Sequence, residues 1–417
     1  MKRPDWLTLR ALAWGAYDVA SSTYIALVPA FFGLYYVKHV AQGQPGASAL
    51  WGGLAALSVL LAAVLGPLAG ALADRPGRPL WVLGVLTYAC TLGALLLPVA
   101  AAQGAAVAAL AFLFAQLAYT LATSVYDAQL VHVAERKELG AVSGLGWSLG
   151  LVGGMGAILV ALAMLQGLSP GQQITALPQV FVAGGLLFGI LAVPALRLQA
   201  RVRAQPVAAT VPSVPLVQGV ARTVREWRRH REALRVLLAF FLVNDVVVTI
   251  QFFIAIVLSA RFDLSVAGLF WLGLLFHVIG LPSTVLCGVL ADRWGQRRAL
   301  LLMSAVLALA ILLLAFGHAV WVPGLAVVLL GLVFGSLQAV FRSLYASLVP
   351  SHQAGELFGF NAVAGRLSAA IGPLIFGVAS TALGGPTWAL VLLLVPLGAG
   401  LALLGLGRAG PARPEPA

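Results

Sequence analysis

Apolar runs of eighteen or more residues recur from Leu12 almost to the end of the chain, separated mostly by short polar stretches. Each run is long enough to cross a hydrocarbon layer of about 30 Å as a helix. Twelve segments read as membrane helices, at 12–37, 49–73, 80–101, 104–132, 141–166, 178–197, 233–259, 266–291, 299–318, 321–349, 357–382 and 387–407. The pattern predicts an all-α integral membrane protein with both termini on one side. Met1-Lys2-Arg3 ahead of the first run resembles the start of a signal peptide. That run is too long, carries Asp18 and is followed by further spans, so it reads as an uncleaved first helix.

Composition agrees: 61% of the 417 residues are hydrophobic and 9% charged, against about 25% charged in soluble domains. The net charge of +12 would suggest nucleic acid in a soluble protein. Its placement says otherwise. With the N-terminus inside, 21 of the 25 basic residues fall on cytoplasmic segments, Lys38 and Arg261 fall opposite, and Arg342 and Arg366 lie within helices. This is the positive-inside pattern of a bacterial inner (cytoplasmic) membrane protein with both termini cytoplasmic; the expected partners are the bilayer and a small solute, with no nucleic acid. Cys90 and Cys287 sit singly in apolar runs and offer neither a disulfide framework nor a thiolate metal site.

The one long connection, 198–232, separates residues 1–197 from 233–417. After Pro206, Pro212 and Pro215 it repeats Val217, Val220, Val224 and Trp227 at helical spacing, with Arg222, Arg225, Arg228 and Arg229 on other faces. This predicts an interfacial amphipathic helix in a basic cytoplasmic linker. The two flanking regions repeat one another. Gly70-Ala-Leu-Ala-Asp74-Arg75-Pro-Gly77-Arg78 corresponds to Gly288-Val-Leu-Ala-Asp292-Arg293-Trp-Gly295-Gln-Arg297. Tyr17-Asp18 corresponds to Asn244-Asp245, and Tyr126-Asp127 with Gly140, Gly144 and Gly150 to Phe341-Arg342 with Gly355, Gly359 and Gly365. The offsets are 227, 218 and 215, decreasing slowly as small loop differences require. Two six-helix, pseudo-symmetric bundles follow.

Two such halves joined by a basic linker, with Gly-x-Leu-Ala-Asp-Arg-x-Gly after helix 2 and again after helix 8, resemble the major facilitator superfamily of secondary transporters. Trp14-Gly-Ala-Tyr17-Asp18, Asn244-Asp245, Gln338-Ala-Val-Phe-Arg342-Ser-Leu, Phe358-Gly-Phe-Asn361 and Gly372-Pro373 are similar to the vacuole effluxer family, named for an autophagy-related exporter of amino acids. The resemblance implies alternating access, with helices 1, 4, 7 and 10 lining a central cavity. It makes the two loop motifs a conformational latch formed by Gly70, Asp74, Arg75, Gly77, Arg78, Gly288, Asp292, Arg293, Gly295 and Arg297. From the residues themselves, Gly70 and Gly288 would allow close helix contact, and Gly77 and Gly295 tight turns. Asp74 and Asp292 would cap a helix or pair with adjacent arginines.

A charge within the bilayer is costly unless it is paired or faces water, so Asp18, Asp127, Asp245, Arg342 and Arg366 are the residues most open to a functional role. Each has polar company at helical spacing: Tyr17 and Ser22 near Asp18, a Gln116–Thr120–Thr123–Asp127 stripe, Asn244 and Thr249 near Asp245, and Gln338 near Arg342. Asp127–Arg342 and Asp245–Arg366 either close a cytoplasmic gate as ion pairs, or Arg342 touches substrate. Asp18 and Asp245 are the candidates for proton coupling, since a carboxylate whose partner moves away during rocking can take up and release a proton. Alternatively Asp18 satisfies an indole donor such as Trp14. Carboxylates and a guanidinium in one cavity suit a zwitterion. With Asn361 and Arg366 these residues make up the candidate substrate and coupling set; a proton is the only expected auxiliary species, and a monomer the expected state.

Gly144, Gly146, Gly150 and Gly154 superficially match a dinucleotide fingerprint, but within a membrane helix their spacing suits helix packing. His132, His277 and His318 are scattered singly and read as structural. No Gly-x-x-x-x-Gly-Lys-Ser/Thr loop supports ATP-driven pumping, and no nucleophile–base pair at helical spacing supports an enzyme. Direction of transport stays open, as do a sugar or drug-like solute and, in a different class, a non-transporting sensor.

Overall fold

In lipid a backbone N–H or C=O finds no water, so each apolar run must satisfy its hydrogen bonds internally, and it does so as a helix. The computed structural model describes residues 7–73, 79–130, 133–134, 138–203, 231–348 and 369–406. Its helices are α1 (Leu9–Val40), α2 (Ala47–Ala73), α3 (Pro79–Ala102), α4 (Ala105–Ala128), α5 (Leu139–Leu165), α6 (Leu177–Arg203), α7 (Arg231–Phe262), α8 (Val266–Trp294), α9 (Gln296–Phe316), α10 (Val322–Leu348), α11 (Ala369–Ala382) and α12 (Pro386–Gly405). Eleven of these are long and apolar enough to span a membrane, and α11 contributes the shorter Ala369–Ala382.

The predicted segments and the helices coincide to within a few residues, with instructive exceptions. Helix α1 breaks at Val28, because Pro29 has no N–H to continue the ladder, and widens into a π-turn over Tyr36–Val40. Helix α6 runs on to Arg203, into residues assigned to the linker, and α7 starts at Arg231; a helix with internally satisfied bonds need not stop where the lipid does. A six-residue helix, Pro170–Thr175, with a Ser169–Gln172 capping box lies outside the predicted segments. The predicted amphipathic helix, Asp74–Arg78, Asn361 and Arg366 all lie outside the described residues.

The burial pattern separates inner helices from outer ones. In α1 and α7, 72% of the apolar stretch is buried, against 18% in α8 and 28% in α2, so the first helix of each half is central. Leu68, Val99, Leu110, Ile190, Leu286 and Val395 are exposed, as a lipid-facing surface requires. Within the first half α1 packs on α5 and α6, and α3 on α4 and α6; within the second, α8 and α9 pack on α10, and α7 on α12.

Between α1 and α5 the contact is made backbone to backbone. A Cβ on Gly146, Gly150 or Gly153 would strike Asp18, Ser22 or the Val19 carbonyl respectively, and one on Gly15 would lie 2.8 Å from Leu149. The glycine-rich helix is therefore a packing surface, but through Gly153 rather than Gly144, whose Cβ would meet nothing within 4 Å. Among the described residues the rationale for Gly70 and Gly288 finds no support, since a Cβ on either would meet none of them within 4 Å. Gly295 does make the predicted turn: its φ of 93° lets α8 pass into α9 without a spacer.

Gly153→Ala should cost about 1–3 kcal/mol by forcing α1 from α5. Gly144→Ala should leave the melting temperature of the detergent-solubilised protein unchanged or raise it, because Ala is the better helix former. Equal melting temperatures for the two variants would contradict the packing described.

Candidate functional site

Asp18 sits half-buried on the inner face of α1, and its Oδ2 accepts a 2.7 Å hydrogen bond from the Tyr126 hydroxyl of α4. Tyr126 is itself fixed. Its ring stacks on Trp14 at 4.4 Å and 9° and contacts Tyr17 at 4.9 Å, and its carbonyl accepts from Trp14 Nε1 at 3.2 Å. The expected indole donor therefore holds Tyr126, and Tyr126 holds Asp18. Tyr17 reaches Thr87 of α3 at 2.7 Å; Thr87 gives its hydrogen to the Leu83 carbonyl, so Tyr17 is the donor. Tyr24 donates to Gln116 Oε1 of α4 at 3.3 Å. Glycines beneath Asp18 and Ser22 on α5 leave these side chains room.

The second half repeats the placement with different chemistry. Asp245, 6% exposed on α7, accepts at Oδ1 from the backbone N–H of Gly372 in α11 at 2.7 Å. Thr249, one turn on, donates to the Asp245 carbonyl at 2.7 Å. In each half a carboxylate of the first helix thus faces a glycine of the fifth. The repeat aligns Tyr126 with Phe341, which has no hydroxyl, and in the second half the donor is a backbone N–H instead.

Of the other predicted residues, Asn244 is buried beside Asp245, Gln338 is half-buried on α10 and Asp127 is exposed at the end of α4. Arg342 lies in α10, but its side chain, like that of Asp292, falls outside the described residues, as do Asn361 and Arg366 entirely. Arg293 is exposed. Arg297 bonds Glu232 Oε2 at 2.8 Å and the Leu404 carbonyl at 3.4 Å; Arg235 bonds Glu232 Oε1 at 2.6 Å and the Leu406 carbonyl at 3.2 Å. The latch arginine Arg297 thus ties the start of α7 to the end of α12, satisfying carbonyls that a helix C-terminus leaves open.

The described hydrogen bonds between the halves lie toward the membrane face carrying Lys38, while α5 packs against α8 nearer mid-membrane. Lys38 Nζ donates to Ser259 Oγ at 2.6 Å, Trp51 Nε1 to the Phe252 carbonyl at 3.1 Å, the Ala49 N–H to Thr381 Oγ1 at 3.2 Å and the Ala267 N–H to Gln173 Oε1 at 3.0 Å. Phe31 stacks on Phe270 at 3.8 Å. A Cβ on Gly52 would run into the Pro373 carbonyl and one on Gly377 into that of Ser48, so α2 and α11 touch backbone to backbone. Gly33 leaves space for the Trp51 indole. Sequence reasoning placed the gate on the opposite face and missed these residues. The visible clue was Lys38, one of two cations on its side of the membrane.

The fold agrees with what comparison finds. The family model described as "Vacuole effluxer Atg22 like" matches residues 46–413. The chain belongs to this family. A relative in Bacillus subtilis (strain 168), described as the uncharacterized MFS-type transporter YxiO, is 26% identical over 97% of this chain and 95% of its own length. Among solved structures, a point mutant of the nucleoside transporter NupG superposes with a TM-score of 0.70 at 16% identity, covering 95% of this chain and 98% of that one. A D-xylose-proton symporter superposes at 0.68 and 17% identity, covering 95% and 96%. The effluxer-family chain is accordingly a multi-pass membrane transporter with the major facilitator fold, and not an enzyme.

Trp51→Phe keeps an aromatic ring but loses the cross-half hydrogen bond, so it should loosen the Lys38 face. Introduced at Ser22, a cysteine in a Cys90→Ala, Cys287→Ala background should then react with an impermeant maleimide from that face roughly 2–10-fold faster. Unchanged labelling would mean that the indole does not hold the halves.

Proposed function

We propose that this transporter exports a small zwitterionic, amino-acid-like solute from the cytoplasm by alternating access, coupled to protons at Asp18. The supporting observation is the unlike bonding of the two carboxylates. The Tyr126 hydroxyl can donate to an ionised Asp18 or accept from a protonated one, so the contact survives either state. The Gly372 N–H can only donate, so the bonded oxygen of Asp245 stays an acceptor and cannot hand a proton to its partner as Asp18 can. In this reading Asp18 carries the proton, Asp245 faces the solute ammonium and Arg342 the solute carboxylate. Tyr17, Ser22, Asn244 and Gln338 supply neutral hydrogen bonds. With the positive-rich side cytoplasmic, the Lys38 face is extracytoplasmic and the described conformation is closed outside. The working unit is a monomer in the cytoplasmic membrane, both termini inside.

The test is uptake of labelled amino acids into liposomes with and without a pH gradient. Asp245→Asn and Arg342→Gln should each lower flux roughly 10–100-fold, the worth of a hydrogen bond to a charged group. Asp18→Asn should abolish gradient dependence while leaving exchange, and Tyr126→Phe should weaken coupling less than Asp18→Asn does. Flux of a sugar but of no amino acid would refute the zwitterion assignment; full gradient dependence in Asp18→Asn would refute the coupling assignment.

A further inference from the structure

Along α1, residues 18, 22 and 26 follow one another at four-residue intervals, and Gly146, Gly150 and Gly154 of α5 face them in the same order. The first rung holds the Asp18 carboxylate and the second the Ser22 hydroxyl. At the third rung the first half offers only Ala26, and a side chain from the second half comes in: a Cβ on Gly154 would lie 2.6 Å from His277 Nε2 and 3.6 Å from the Ala26 Cβ. His277 belongs to α8, the least buried span, where a polar ring in mid-helix is costly without a purpose. Its Nδ1 lies 2.8 Å from the Gly273 carbonyl, which can only accept, so Nδ1 bears the hydrogen. Nε2 therefore presents a lone pair toward the first half, and among the described residues no protein donor bonds to it.

The geometry points to His277 as a further contact of the second half with the transported solute, an assignment that rests on the transport reading above. The file Asp18–Ser22–His277 has a carboxyl group at one end and a neutral acceptor at the other; the α1 positions beside which they stand, 18 and 26, are eight residues apart, or about 12 Å at 1.5 Å per residue. That span suits an extended solute with N–H donors at both ends, and so selects basic amino acids over compact ones. Gly154 is part of the device, because any side chain there would displace the imidazole.

The experiment has two arms. In the first, the full chain in detergent is treated with diethylpyrocarbonate, which acylates the free nitrogen of a neutral imidazole, and sites are mapped by mass spectrometry with and without saturating L-lysine, L-arginine or L-alanine. His39 and His318, both exposed, are internal references. His277 should react, and lysine or arginine should slow it several-fold where alanine does not. A His277 that stays unmodified while the references react, or that none of the three solutes protects, would overturn the proposal. In the second arm, His277→Ala in liposomes should raise KM for lysine and arginine roughly five- to tenfold with kcat retained and alanine transport unaffected. His277→Gln, which restores an acceptor oxygen, should recover part of the loss. An equal change for all three solutes would mark a packing role and defeat the assignment. Should the native chain move no amino acid, the transport reading fails by itself, and solute protection in the first arm alone decides on His277.

Discussion

Trp51 sends its indole N–H across the gap between the halves to the Phe252 carbonyl, and the orientation of the two bundles depends on contacts of this kind. Lipid tails are as apolar as leucine, so burying one apolar helix face against another gains little in a membrane. Halves that are apolar on their outer sides are held in one relative orientation by what lipid cannot supply: hydrogen bonds and very close backbone approach. The bonds here are those of Lys38, Trp51, Ala49 and Gln173, and the close approach is that of Gly52 and Gly377. Gly33 is the quiet partner, since a methyl group there would occupy the position of the indole.

Duplication explains why both halves present a carboxylate at the same place, and divergence explains why the two need not do the same work. An acid inside a bundle must find a donor. The first half found a hydroxyl, whose ring is then locked by Trp14 and Tyr17; the second lost that hydroxyl at Phe341 and took a backbone N–H beside Pro373. A hydroxyl can donate or accept and an N–H can only donate, so a single ring oxygen makes the bonding of the two acids unlike within a symmetric fold.

Much of the fold was legible in the chain. The apolar segments that became helices and the position of Asp18 and Asp245 on inner helices follow from residue type and spacing. The partners of those acids did not. Trp14 was a plausible donor to Asp18, one turn away, yet the donor is Tyr126, 108 residues on. Gly70 and Gly288, conspicuous in a repeated motif, have room for a Cβ among the described residues, whereas Gly52 and Gly377, in no motif, bring two backbones together. His277, isolated in sequence, lies against Gly154 of the other half.

The division has a physical cause. Whether a stretch enters the membrane, and with which end inside, depends on sums over its own residues and on hydrogen bonds that close within one helix, so composition and order along the chain determine it. Which donor satisfies a buried acid, which glycine must remain a glycine and which face of the molecule is fastened depend on how helices distant in sequence are rotated and spaced against each other. At backbone separations where one methyl group decides the contact, only the tertiary structure could settle these points.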